Sequence, residues 1–331
     1  MSTDPSPRPS TDPSTGLSAH LSAHLSTDPS TGLSTGPSGG LSPGPAAGSS
    51  PDRAVRTRSR RLLAHLGLIA AAFALLYPLL WLFASSARPD EEIFSSGGLW
   101  PRTWDLANYA EGWRGLGVSF RIFFENSFVI AAFTVAGNLF SCTLAAYAFA
   151  RLDFALKKTW FAVMLATMML PHHVTLIPQY TAFNLTGFVN SFYPLFLPHF
   201  LAVDGFFVFL LVQFIRGMPI ELDEAARVDG CGAGRIFWYV ILPQLKPALV
   251  TTTIFSFLWS YNDFFAQLIY LNDTDLFTVP LGLRMFLDAT GESSWGPLFA
   301  MSVLALVPAF VLFLGLQRYI TEGIATTGLK G

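Results

Sequence analysis

Asp223–Pro243 reads DEAARVDGCGAGRIFWYVILP, a polar interruption between two long apolar runs. It carries two Asp, one Glu, two Arg and three Gly. That is too long for a turn and too charged for lipid. Its place in the chain therefore rests on its flanks.

The 331 residues are 52% hydrophobic, 15% aromatic and 13% charged, with a mean hydropathy of +0.46. A soluble domain carries about 25% charged residues, so composition alone moves the chain toward the membrane. A formal net charge of −2 gives no reason to expect a nucleic-acid partner. Cys142 lies in an apolar run and Cys231 in the polar stretch, which makes neither a disulfide framework nor a metal site.

Residues 1–52 are low complexity, and STDPSTGLS occurs at Ser10–Ser18 and again at Ser26–Ser34. A Ser/Thr/Pro/Gly tract with few large apolar side chains cannot offset the entropy of ordering itself, so a disordered tail is expected. Residues 53–331 read as one all-α integral membrane domain. Six apolar runs cover approximately 62–83, 122–150, 159–183, 192–215, 248–271 and 297–316. Each has about the 20 residues that a helix needs to cross the hydrocarbon core, and helices satisfy their own backbone groups there. The first run is longer than a signal-peptide core and reads as an uncleaved anchor.

Six spans put both termini on one side. With that side inside, fifteen of the twenty Lys and Arg are internal, and Arg88, Arg102, Arg114, Arg121 and Arg284 are external. The positive-inside rule then places both termini, and the loop 216–247, in the cytoplasm of a multi-pass cell-membrane protein.

The loop has the makings of two helices and an elbow. Pro219 and the acids Glu221, Asp223 and Glu224 suit a first turn, where carboxylates favour the positive end of the helix dipole. Asp229-Gly230 is a stop, because Gly takes the left-handed geometry that ends helices cheaply. A second helix is expected over Arg235–Leu242, ending at Pro243. Ala225 and Ala226 let the first helix lie deep in a groove on another protein, and Glu224 offers it a charge-assisted hydrogen bond.

Glu224-Ala225-Ala226, Gly230 and the ending Val240, Leu242-Pro243 resemble the EAA signature of permease subunits of ABC importers. In the family, Ile stands where this chain has Val240. LPHHVTLIPQY (Leu170–Tyr180), WSYNDFFAQLIYLND (Trp259–Asp273), TVPLGL (Thr278–Leu283) and QRYITEGIATTGLKG (Gln317–Gly331) are similar to the carbohydrate branch, and within it to the MalG-type subunit. The likeness runs from about residue 60 to the end. It implies a permease paired with a second, MalF-like permease, two cytoplasmic ABC ATPase subunits and an extracytoplasmic solute-binding protein. ATP and Mg are then held by the partner subunits, with no cofactor, metal or catalytic residue on this chain.

Charged side chains deep in a membrane are costly and usually functional. Asp204 lies near the middle of the fourth run beside Gly205, where a helix can loosen, and Asp263 lies in the fifth beside Asn262. No Lys or Arg falls inside the runs to pair with them. Carboxylates, amides and aromatic faces suit a sugar, so Asp204, Asn262, Asp263, Trp259, Tyr261 and Gln179 are the candidate substrate path. The structural alternative is glue between helices. His172-His173 after Pro171 reads as a kink with hydrogen-bonded His, since further metal ligands at suitable spacing are not evident. A different function class, a proton-coupled secondary transporter with Asp204 and Asp263 as its relay, is weakened because no inverted repeat is visible in the six runs.

Overall fold

The computed structural model describes residues 51–95, 98–287 and 293–328. The tail expected over 1–52 lies outside them, except for Pro51 and Asp52, which open the first helix. Met1–Leu63 and Ala64–Gly331 form separate units, and the packed fold belongs to the second.

Among the described residues all regular structure is helical. The principal helices are α1 (Pro51–Ser85), α2 (Phe120–Arg151), α3 (Lys157–Thr167), α4 (His172–Leu185), α5 (Gly205–Arg216), α6 (Glu221–Val228), α7 (Ala233–Ile236), α8 (Lys246–Tyr261), α9 (Phe265–Tyr270) and α10 (Trp295–Gly328). Among the described residues four segments are long and apolar enough to cross a membrane: Ala64–Ser85, Phe120–Arg151, Tyr193–Arg216 and Trp295–Tyr319. A fifth is obtained if Ala233–Gln244 and Lys246–Tyr261, bent by 76° at their junction, count as one.

Three of the expected runs are not continuous helices. The run at 159–183 divides into α3 and α4 around Pro171. Proline lacks an N–H and pushes its predecessor out of the α region, so the helix stops before it. The run at 192–215 starts with one α turn (Tyr193–Phe196), tightens to a 3₁₀ turn (Leu197–Leu201), and breaks at Ala202, whose φ is +54°, before α5 begins. The run at 248–271 stops at Tyr261 and resumes as α9.

The second long helix, α2, is the centre of the unit and packs against both α5 and α8. Its buried positions include Phe120, Phe123, Ser127, Ile130, Thr134, Gly137, Asn138, Ser141, Cys142, Ala146 and Tyr147, stepping three or four residues at a time along one face. Many are small or polar. Phe128, Val129, Phe133, Phe140 and Leu144 are exposed on the outside. This inside-out pattern is that of a helix packed by small residues within lipid, where apolar surface gains nothing by turning inward.

Short elements join the ends opposite the polar loop. Asn108 donates from Nδ2 to the carbonyls of Ser86 (3.2 Å) and Arg88 (2.8 Å). Asp90 accepts from the N–H groups of Trp295 (3.2 Å) and Gly296 (2.6 Å), tying the exit of α1 to the start of α10. Glu92 accepts from the Arg102 N–H at 2.7 Å, which holds its carboxyl below the usual range.

Gly137 is where the 3₁₀ turn reaches α2. A Cβ there would meet a ring carbon of Phe200 at 2.9 Å and the carbonyl carbon of His199 at 3.1 Å. Gly137→Val is therefore expected to cost about 1–3 kcal/mol by overpacking, read as a lower thermal-unfolding midpoint of the purified protein. An unchanged midpoint shows that the turn yields freely.

Candidate substrate cavity and coupling surface

The polar loop forms two helices and an elbow. Glu221, Asp223 and Glu224 occupy the first turn of α6. Its end is a Schellman cap: the Cys231 N–H donates to the Ala226 carbonyl at 2.9 Å and the Gly230 N–H to Arg227 at 3.0 Å. Gly230 stands at φ +79°, the left-handed region that side chains resist. The second helix departs from expectation. α7 ends at Ile236, Phe237–Ile241 widen into a π turn, and an α turn Leu242–Gln244 carries Pro243 in its first positions. The helical run ends at Gln244, one residue past Pro243, and the chain bends by 76° before Lys246. The widened turn ahead of Pro243 accommodates a ring that an α-helical ladder would clash with.

The loop's neighbouring carboxylates meet different surroundings. Glu224, Ala225 and Gly230 are exposed, and Ala226 is half-buried. Val228 is 88% exposed on the outward face. Asp223 is fully buried and pairs with Arg151 at the end of α2, Nε to Oδ2 at 3.2 Å. At the other end of the loop Ile236, Phe237, Ile241 and Leu245 enter one core with Phe207, Leu211 and Ile215 of α5. Val240 and Leu242 pack partly against it, and Pro243 is exposed.

A cavity of about 1290 Å³ lies where the three runs break. Of the six candidate path residues, Gln179, Asp204, Trp259, Asn262 and Asp263 line it. Among the described residues the lining also has Thr134, Asn138, Ser256 and Gln267 but no Lys or Arg. Trp259, half-exposed, gathers Phe206, Phe207 and Phe255 around it at ring separations of 5.3, 5.1 and 6.0 Å. The hydroxyl of Tyr270, which also lines the cavity, is buried without a hydrogen-bond partner among the described residues.

Tyr261 is not in this group. It is 2% exposed, stacks on Phe257, and donates its hydroxyl to the Ala305 carbonyl at 3.1 Å, so it belongs to the core between α8 and α10. The partner of Asp204 is a histidine: His199 Nδ1 lies 2.6 Å from Asp204 Oδ2. A count of Lys and Arg alone misses it, although a His five residues upstream is the available signal. Asp263 Oδ1 accepts from the Ala266 N–H at 3.2 Å and so caps α9 as well as lining the cavity. His173 meets Phe265 edge to face at 5.2 Å.

A family described as "Binding-protein-dependent transport system inner membrane component" matches residues 137–326. Among curated relatives, the probable ABC transporter permease protein YurM of Bacillus subtilis (strain 168) is 33% identical over 258 residues, covering 78% of this chain and 85% of that protein. The trehalose/maltose transport system permease protein MalG of Thermococcus litoralis is 29% identical over 273 residues, covering 82% and 98%. Among solved structures, a bacterial ABC transporter involved in the import of the acidic polysaccharide alginate has a chain with the same fold. It superposes with a TM-score of 0.69 at 20% identity, covering 79% of this chain and 96% of that one. The proton-relay alternative gains no support from these matches.

Geometry separates two neighbours on α8. In a Cys231→Ser background, Trp259→Cys is expected to react with a small thiosulfonate reagent while Tyr261→Cys does not. Equal labelling of the two places both in the cavity.

Proposed function

Because this chain belongs to the family of binding-protein-dependent transport system inner membrane components, we propose that it is one of two permease subunits of an ATP-driven importer of a sugar or oligosaccharide. It spans the membrane six times, with the broken runs counted as spans and both termini cytoplasmic. Its partner is a MalF-like permease, and a solute-binding protein delivers substrate from outside. Two cytoplasmic ATPase subunits bind ATP and Mg, and this chain catalyses nothing itself.

The observation that carries the reading is the convergence of five polar or aromatic path residues on one cavity at which three helical runs are broken. Broken helices around a cavity are how membrane transporters offer polar groups to a solute. Hydroxyls of a sugar find carboxylates and amides there, and its apolar face finds Trp259. With two carboxylates and no cationic Lys or Arg in the lining, a neutral sugar fits better than an anionic one.

The exposed Glu224–Ala225 face is the seat for an ATPase subunit. As ATP closes the ATPase dimer, the loop follows and the spans move between inward- and outward-facing states. Hydrolysis resets them. Glu224→Lys sets a cation where the partner's groove expects an anion, a change on the order of 2–5 kcal/mol, or tens- to thousands-fold in docking. Membrane insertion should be normal. Sugar uptake and receptor-stimulated ATP hydrolysis in proteoliposomes should be lost. Wild-type uptake in this variant overturns the docking role.

Orientation has its own check. With an impermeant thiol reagent on intact cells, Ser293→Cys should label and Thr57→Cys should not. The reverse pattern inverts the topology.

A further inference from the structure

We propose that Arg151 and Asp223 form the strut by which movement of the polar loop reaches the cavity wall, so that both are positioning residues for transport. The inference rests on the importer reading and adds to it a path for the motion.

The pair is built unlike a surface salt bridge. Asp223 is fully buried, and the Arg151 side chain is 6% exposed. The guanidinium also donates through Nη2 to the Met218 carbonyl at 2.9 Å, in the segment that leads into α6. Arg151 thus holds the entry to α6 by a hydrogen bond and its first turn by charge alone, since its Nε and both Asp223 carboxylate oxygens have no hydrogen-bond partner among the described residues. One turn back on the same face of α2, Tyr147 donates its hydroxyl to the Ala233 carbonyl at 3.0 Å and packs its ring on Phe237 at 5.1 Å. Two side chains of one helix therefore hold the helices on either side of the Gly230 elbow. That makes α2 the member to which the whole loop is fastened.

The other end of the lever is on α2 as well. Ile130, Thr134 and Asn138 line the cavity, and Asn138 donates to Ser256 on α8 at 2.8 Å. Asn138 and Arg151 are about 20 Å apart along one unbroken helix. A helix is stiff over that length, so a displacement of the loop is carried to the cavity wall without an intervening joint. The neighbouring spans that line the cavity are broken there, and α2 is not.

The charges also explain the choice of residue. A buried pair is poor evidence for stability, since an apolar pair of equal volume often serves as well. What a charged pair supplies is a fixed register between two elements, because either charge left alone in the interior is costly.

The test uses the complete reconstituted importer with its solute-binding protein and measures co-purification of the ATPase subunits, basal ATPase activity and receptor-stimulated ATPase activity. Asp223→Asn and Arg151→Gln should retain the ATPase subunits and basal activity. Receptor stimulation and uptake should fall roughly tenfold, equivalent to about 1.4 kcal/mol of lost coupling. The charge-swapped pair, Arg151→Asp with Asp223→Arg, should recover stimulation above either single variant. Tyr147→Phe should show a smaller loss in the same direction. Wild-type stimulation in Asp223→Asn overturns the proposal. So does a swapped pair no better than the singles, or a parallel loss of basal activity and ATPase co-purification, which makes the pair a folding contact only. Each of these outcomes is separate from the fate of Glu224→Lys, which tests docking and leaves the strut intact.

Discussion

Hydrocarbon offers no hydrogen bonds, so a chain that crosses it can leave the helix only where protein or a water-filled space supplies partners. All three breaks meet at one cavity, and two of them show this constraint in their hydrogen bonds. At the break before α5, the Asp204 carbonyl accepts from Phe207 (3.1 Å) and Val208 (3.2 Å), and Ser141 of α2 donates to the His199 carbonyl at 2.6 Å. At the break after α8, the Asn262 side chain donates back to Leu258 at 2.8 Å and Asp263 caps α9. At the break after α8, the polar side chains that look costly in a lipid-crossing run are the ones that bond the backbone where it leaves the helix. The cavity follows from where those departures cluster.

The sequence carried the helices and hid the breaks. Hydropathy sums side-chain transfer and is blind to backbone direction, so each broken run reads as a single span. The local chemistry is nonetheless present at Pro171, at Asp204-Gly205 and at Asn262-Asp263. The path residues are legible as a class, because Asp, Asn and Trp in an apolar run need a reason. Residue type alone does not give their directions. Trp259 and Tyr261 are two residues apart, which on a helix turns their side chains to nearly opposite faces. One of the pair therefore had to leave the cavity. The same geometry separates Asp223 from Glu224, about 100° apart around α6. Asp223 shares its inward face with Ala226, three residues on, and Glu224 shares the outward face with Val228. The partner of Asp223, Arg151, lies 72 residues earlier in the sequence, and no local pattern points to it.

The inward carboxylate and the outward one answer why so polar a stretch persists between two apolar runs. A loop that only joined α5 to α8 needs neither. On the proposed docking role, a loop held by its own subunit and seized by another needs a charge on each face. Both faces must also sit on elements too short to bend, and α6 is two turns long. Beyond it the Schellman cap fixes the elbow through two backbone bonds and one left-handed glycine. Ile236, Phe237 and Ile241 then sink the far side into the core with α5. The stretch is rigid in parts and anchored at both ends, so a push on Glu224 has few ways to dissipate. On the strut proposal it passes to α2 through Arg151 and Tyr147, and among the described cavity-lining spans α2 has no break near the cavity.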